Sequence, residues 1–323
     1  MPFSWKLNSK APHDFFINLD VDSYFDLEHT PETIPDEGML KTLNLKEKEI
    51  LTRIYFNGNT ENPIFTIECE EKLTESEKEE SNHILTRIFW TDLELQPLYE
   101  KAKNDPLLQR MFSELYGLKR ISRGCFFDDA LNRVIIAQIS HKPTAKKMVY
   151  GVRQAYGTRL ENRTGVVCSW PRPERLIGVD PASLKKHGLS LRKGEYVTGL
   201  AHEIVSGELD QDEIESMAPV QFYNRLLQIR GIGPTTAQDL MLFRNRPDAV
   251  FPSRIEKDEE KGLRRWILLS YNADPDHTSE EDFKHIIRHW KGFESMALEY
   301  LYVDWIISEK RKKLLAKSES QKV

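Results

Sequence analysis

Two stretches of the chain carry residues that could do chemistry. The first is Gln228 to Phe243, QIRGIGPTTAQDLMLF, where Gly231 and Gly233 bracket Ile232 and Pro234 follows. Glycine admits positive φ and lets another backbone come close. Pro234 suits the first position of a helix, so the amides of the two glycines and the start of that helix could point at a phosphate. The same residues also make an ordinary corner between two helices, and a Gly-x-Gly alone does not choose between the two. The second stretch is SRIEKDEEK (253–261), which gathers Glu256, Asp258, Glu259 and Glu260. Asp258 would cap the start of a following helix, with Glu259 and Glu260 in its first turn. A carboxylate there could stabilise a developing positive charge. The alternative is a solvated charged loop.

No other constellation competes. The nine histidines show no metal-ligand spacing such as His-Glu-x-x-His. Cys69, Cys125 and Cys168 lie far apart, form no Cys-x-x-Cys pair and all precede the glycine corner. They suit a reducing compartment and argue against a structural zinc or iron–sulfur site.

The elements that must hold these stretches can be read from periodicity. The first hundred residues contain strand-like runs at DFFINLDV (14–21), ILTRIYFNG (50–58) and NPIFTIECEE (62–71), with NGNTEN (57–62) as a hairpin loop. TESEKEESNHILTRIFW then reads as a polar-faced helix. From about Pro97 the pattern is helical throughout. DDALNRVIIAQIS (128–140) places Leu131, Val134, Ile135, Gln138 and Ile139 near one stripe, and Gly157 would cap the helix of TAKKMVYGVRQAYG. The stretch from Ser169 to Gly207 holds three helical pieces separated by Pro and Gly. QFYNRLLQI forms one helix before the corner, and Ala237, Leu240 and Met241 form the buried stripe of the helix after it.

With 39% hydrophobic and 30% charged residues among 323, the composition is that of a globular chain with room for two or three modest cores. No run is long enough for a membrane span, and the first residues lack the apolar stretch of a signal peptide. The net charge of −5 hides an asymmetry, because residues 1–100 hold 9 Lys and Arg against 21 Asp and Glu, whereas the rest hold 37 against 30. A nucleic-acid face is therefore compatible with the second part only.

LLQIRGIGPTTA resembles the helix-hairpin-helix motif of the DNA glycosylase superfamily. Other motifs of that family are matched in order: IIAQIS with Ala145 after it, AYG (155–157), WPRPE (170–174), GLSLRKGEYVTGLAHEIVSGEL (188–209) and WKGFESMALEYLY (290–302). The resemblance covers roughly residues 90–307 and is nearest to the DNA-3-methyladenine glycosylase II branch. It implies an α+β chain in which a small antiparallel sheet domain (1–90) precedes a mainly α-helical helix-hairpin-helix domain (91–310), with a polar tail (311–323). It further implies a monofunctional enzyme that flips damaged, alkylated bases out of double-stranded DNA and hydrolyses the N-glycosidic bond. The expected form is a monomer with no membrane contact and no metal in its chemistry.

Residue by residue, the resemblance assigns the DNA-gripping hairpin to Arg230, Gly231, Ile232, Gly233, Thr235 and Thr236, with a monovalent cation held by nearby carbonyls. Gln138 falls on the wedge that fills the gap left by the flipped base. Thr235, Asp239 and Tyr302 fall on the base pocket, and Lys193 and Arg192 on a helix that supports the fold or a phosphate. Thr235 stands where alkylpurine enzymes carry tryptophan and bifunctional enzymes lysine, so no Schiff-base nucleophile is expected. The family's catalytic aspartate follows a Phe-Pro pair and precedes Gly-Leu-Arg. Here Phe251-Pro252 and Gly262-Leu263-Arg264 are separated by about five extra residues, which puts Asp258 first, then Glu260, then Glu256, in the acid's place. That departure keeps two other readings open: a non-catalytic DNA-binding member, and an oxidised-purine glycosylase.

Overall fold

The computed structural model describes residues 2–17, 38–162, 165–244, 246–248 and 263–320. Four strands open the chain: β1 (Phe3–Asn8), β2 (Met39–Asn44), β3 (Glu49–Phe56) and β4 (Ile64–Cys69). They form one antiparallel sheet in the order β1-β4-β3-β2. Helix α1 (Glu75–Phe89) begins with a reciprocal capping box between Thr74 and Glu77 and lays Leu85, Ile88 and Phe89 on the sheet. Phe65 and Phe89 stack there with centroids 4.7 Å apart.

Two sequence expectations fail in this region. DFFINLDV is not a strand over 14–17: Phe15–Ile17 form a turn, and Phe15 plugs the aromatic core while residues 18–21 lie outside the described ones. Its β-branched and aromatic content reflects burial rather than pairing. The edge strands β1 and β2 went unforeseen, because FSWKLN and MLKTLN are short and carry few β-branched residues. The hairpin loop stands where NGNTEN placed it, closed by Asn59 and Asn62.

Helices follow: α2 (Gln96–Lys101), α3 (Pro106–Glu114), α4 (Phe126–Ile136) and α5 (Lys142–Tyr156). A hairpin of β5 (Arg159–Asn162) and β6 (Gly165–Cys168), hidden in a stretch read as wholly helical, then packs toward β2 and β3. Two 3-10 turns (Pro173–Arg175 and Pro181–His187) lead to α6 (Leu191–Val205), making three helical pieces between Ser169 and Gly207 as the Pro and Gly signals required. Next come α7 (Gln211–Ser216), α8 (Pro219–Leu226), α9 (Pro234–Leu242), α10 (Leu263–Ser270), α11 (Glu280–Ile286) and α12 (Glu294–Ser320). The backbone of α12 stays helical through most of the stretch expected as a polar tail.

The helical part has two cores. One gathers α4 to α9 around Leu131, Val134, Val152, Leu200 and Phe222. The other gathers α2, α3 and α10 to α12 around Leu98, Met111, Ile267 and Trp290. Inside the second, the Trp290 indole donates to the Tyr271 hydroxyl at 2.8 Å, which donates to Asp105 at 2.7 Å. Helix α9 belongs to the first core through Ala237, Leu240 and Met241, while Leu242 packs on the second. The seam between the cores therefore runs along α9.

The sheet is tied to the helices by charge. Arg87 of α1 donates to Asp129 of α4 at 3.0 Å, to Glu215 of α7 at 2.5 Å and to Ser122 at 3.1 Å. Arg123 reaches the other oxygen of Asp129 at 3.2 Å. These carboxylates hold the buried Arg87 firmly charged against the cost of burial. Arg244, just after α9, donates to the carbonyls of Glu215 and Met217, the latter at 2.6 Å.

Candidate nucleic-acid interface

The glycine corner connects α8 to α9. Pro234 is the first residue of α9 and Gly233 its N-cap, and the stripe of Ala237, Leu240 and Met241 is buried as the pattern required. The two glycines are there for different reasons. Gly231 has φ +99°, and a Cβ on it would sit 2.4 Å from Cγ of Tyr196, so the fold itself demands glycine. Gly233 has φ −95° and ψ 177°, an extended conformation open to any residue. A Cβ there would meet nothing within 4 Å among the described residues. Neither strain nor packing calls for it, which leaves the surface there open to close approach by an outside backbone.

No side chain caps the start of α9 among the described residues, and Pro234 brings no N–H. The positive end of the helix dipole therefore lies at the exposed surface of Gly233, Pro234 and Thr235, which is suited to an anion. Ile232 contributes differently from expectation. Its side chain is buried and its N–H is spent on the Ile229 carbonyl at 3.1 Å. Arg230 is exposed and held 2.7 Å from Glu195, and it lies over the Tyr196 ring at 5.7 Å, as Arg192 does at 5.6 Å. Thr236 is half-buried beside them.

Gln138 does not share the buried stripe of α4. That helix stops at Ile136, and Gln138 takes the left-handed conformation at φ +62° and stands exposed. A non-glycine residue in that region needs its surroundings to hold it there. The holder is Lys193 of α6, whose ammonium donates to the carbonyls of Ile135 and Ala137, both at 2.7 Å. These are orphan acceptors of a helix C-terminus, where a cation is doubly favoured. Burial lowers the Lys193 pKa. Arg192, next to it, donates instead to the Tyr196 hydroxyl. Gly157 does cap α5, but in extended rather than left-handed geometry; a Cβ there would strike the Ser169 carbonyl at 2.1 Å.

At the seam, Thr235 and Asp239 lie four residues apart on one face of α9. Arg133 of α4 brings its guanidinium to 3.4 Å from Asp239 and lies over the Phe243 ring at 4.7 Å. Arg120 and Arg123 lie over the same ring, each at 5.2 Å. Arg120 forms a buried ion pair with Glu299 of α12. Burial pushes the Arg120 pKa down, and Arg133 adds to that, while Tyr302 and Asp239 are among the groups that oppose it. Asp239 and Tyr302, far apart in sequence, thus both favour the charge on Arg120. Tyr302 is half-buried, one turn beyond Glu299, with its ring 6.3 Å from the exposed Trp305. Three atoms of this cluster, Arg120 Nε, Arg133 Nε and Glu299 Oε1, are buried without a hydrogen-bond partner among the described residues.

Arg133, Arg120, Phe243 and Glu299 are absent from the sequence reading of the site. Arg133 could have been noticed as a charge inside the apolar stripe of α4, but nothing local pairs it with Asp239. Asp258, Glu260 and Glu256 lie outside the described residues. Among the described residues, no three His, Cys, Asp or Glu side chains could hold a metal ion, and no helix is long and apolar enough to cross a membrane.

A sheet followed by two helical cores, with an uncapped glycine hairpin at their seam, defines a helix-hairpin-helix fold. No family model matches the chain. A DNA-3-methyladenine glycosylase of Bacillus subtilis is 27% identical over 269 residues, which cover 83% of this chain and 86% of that one. The structure of a 3-methyladenine DNA-glycosylase from Archaeoglobus fulgidus superposes with a TM-score of 0.71 at 21% identity, covering 93% of this chain and 97% of its own. An 8-oxoguanine glycosylase/lyase from Clostridium acetobutylicum, solved with double-stranded DNA, superposes with a TM-score of 0.60 at 18% identity, over 82% of this chain and 87% of its own. In sequence the chain is thus similar to DNA-3-methyladenine glycosylases, and it shares its fold with solved DNA glycosylase structures.

Proposed function

We propose that the chain is a monofunctional DNA glycosylase that extrudes a damaged, alkylated base from duplex DNA and hydrolyses its N-glycosidic bond. The observation that carries this reading is Gly233, a glycine at the uncapped start of α9 that no internal strain or contact calls for. In this reading the backbone of the hairpin and the α9 dipole take DNA phosphates, contacts that position the duplex without reading sequence. A monovalent cation bound by hairpin carbonyls would add to that grip. Gln138, held out by Lys193, enters the gap left by the flipped nucleotide. The base enters the seam beside Asp239, Phe243 and Tyr302.

The chemistry needs a carboxylate, and the run that holds Asp258 and Glu260 would supply it. The sugar–base bond breaks with its electrons leaving on the base. The carboxylate stabilises the oxocarbenium-like sugar and orients a water, whose oxygen bonds to the sugar carbon as its proton is lost. Thr235 has no amine, so no Schiff base forms at that position and the abasic strand stays intact. The protein works as a monomer on double-stranded DNA, and the hydrolysis needs no metal.

The test is free-base release from duplexes carrying 3-methyladenine, 7-methylguanine, hypoxanthine or 8-oxoguanine, with wild type beside Asp258→Asn and Glu260→Gln. Release by wild type that is lost with Asp258→Asn alone supports the reading; loss with Glu260→Gln alone moves the acid by two residues. Tight binding of abasic-analogue DNA with no release from any duplex would make the chain a binding protein.

A further inference from the structure

We propose that Arg192 and Arg230, stacked on Tyr196, form a side-chain phosphate site beside the hairpin that takes the backbone of a DNA strand next to the main-chain contacts. The site extends the grip described above and rests on the hairpin lying against DNA. The Tyr196 ring is its platform. It is half-buried on α6, packs on the first core and presses on the hairpin so closely that a Cβ on Gly231 would sit 2.4 Å from its Cγ. Two guanidiniums lie over that one ring, Arg192 of α6 at 5.6 Å and Arg230 of the hairpin at 5.7 Å. Arg192 spends Nε on the Tyr196 hydroxyl, and its two terminal nitrogens have no hydrogen-bond partner among the described residues.

Charge specifies what completes the arrangement. Two cations on one ring repel, and Glu195, 2.7 Å from Arg230, offsets only one of them. That pair lies at the surface, with the Arg230 side chain 70% exposed, where an ion pair is weak and readily exchanged. The uncapped start of α9 adds positive potential close by, since Gly233 is at most about 7 Å along the chain from Gly231. Stacking occupies the face of each guanidinium and leaves donors at the rim, a planar fork that suits two oxygens of one phosphate. The phosphodiesters of a DNA strand have that chemistry and carry no base identity, so the site holds the strand whatever its sequence. Glu195 is the internal competitor that a phosphate displaces from Arg230.

The experiment measures binding of the full chain to undamaged and abasic-analogue duplexes between about 50 and 200 mM salt, where the slope of log affinity against log salt counts the phosphates neutralised. Arg192→Gln and Arg230→Gln should each weaken binding to both duplexes alike and make that slope shallower by about 1. Arg192→Lys keeps the charge and should restore the slope. Tyr196→Leu should lose at least as much affinity as either arginine variant, and Glu195→Gln should tighten binding by about two- to fivefold. Slopes that stay at the wild-type value in both arginine variants, or losses on one duplex only, would overturn the site. Displacement of the duplex by inorganic phosphate at matched ionic strength would make it a site for free phosphate instead. A wild type that releases bases while the slopes do not move would sink the site alone. One that shows the slope changes but releases no base would sink the glycosylase reading alone, and no DNA binding at all would sink both.

Discussion

The two ends of α9 are built from opposite materials. At its start the surface is main chain: two glycines, a proline and the helix dipole, with no side chain capping it. Toward its other end the surface is side chain: Asp239 and Phe243 under three arginines delivered from α4 and the segment before it. The difference teaches that one helix can offer two kinds of recognition chemistry at once. Amides and dipoles are the same in every residue, so they recognise phosphates generically. Donors and acceptors placed by distant helices depend on which residues stand there, so they can be selective.

The contrast can be broken or sharpened by substitution. The largest effect belongs to the side-chain end. Arg120→Met leaves Glu299 buried without its partner, and equilibrium urea unfolding should show a loss of about 3–5 kcal/mol. An unchanged midpoint would mean that the arginine cluster does not hold the seam. At the main-chain end the two glycines should separate. Gly231→Ala, with positive φ and Tyr196 in the way, should cost about 2–3 kcal/mol. Gly233→Ala should stay within about 0.5 kcal/mol in stability, yet weaken binding to abasic-analogue duplex in a gel-shift titration. Normal DNA affinity for Gly233→Ala would remove the main argument for a backbone interface.

A pH-dependent effect concerns Asp128, in the first turn of the helix that carries both Arg133 and the approach to Gln138. Burial, with Asp129 beside it, pushes this carboxyl up to about 7. A raised carboxyl pKa gives stability that is complete below the ordinary aspartate range and is lost as pH climbs toward 7. Asp128→Asn should therefore gain on wild type between pH 4 and 7, by up to about 4 kcal/mol at the upper end, and hold that gain above it. Thermal unfolding at several pH values checks this; a difference that does not change with pH would refute it.

Much of this contrast was legible before any coordinates. The corner at Gly231–Pro234 and the buried stripe behind it follow from glycine, proline and spacing, which act locally. The sheet was half legible: β3 and β4 are rich in Ile and Phe, whereas β1 and β2 become strands only because a neighbour is there to pair with. Gln138 was expected to be the wedge but also to lie on a stripe, and these demands conflict. Its exposure depends on where α4 ends, and that depends on Lys193, 55 positions later. The pairing of Arg133 with Asp239 lay furthest from view, because the residues are more than a hundred apart and nothing local in either stretch points to the other.

The bridge formed by Arg87 bears on how this protein could have been assembled and how it can be taken apart. That residue lies within the stretch that precedes the helical domain, yet its charge is completed by Asp129 and Glu215, and the end of α7 that holds Glu215 is in turn grasped by Arg244 beside α9. A gene cut near codon 90 would leave Asp129 to Arg123 alone and deprive Glu215 of its cation. The sheet is thus not a detachable passenger: the helical half inherits part of its electrical neutrality from it, and the two would have to be lost, shuffled or expressed together.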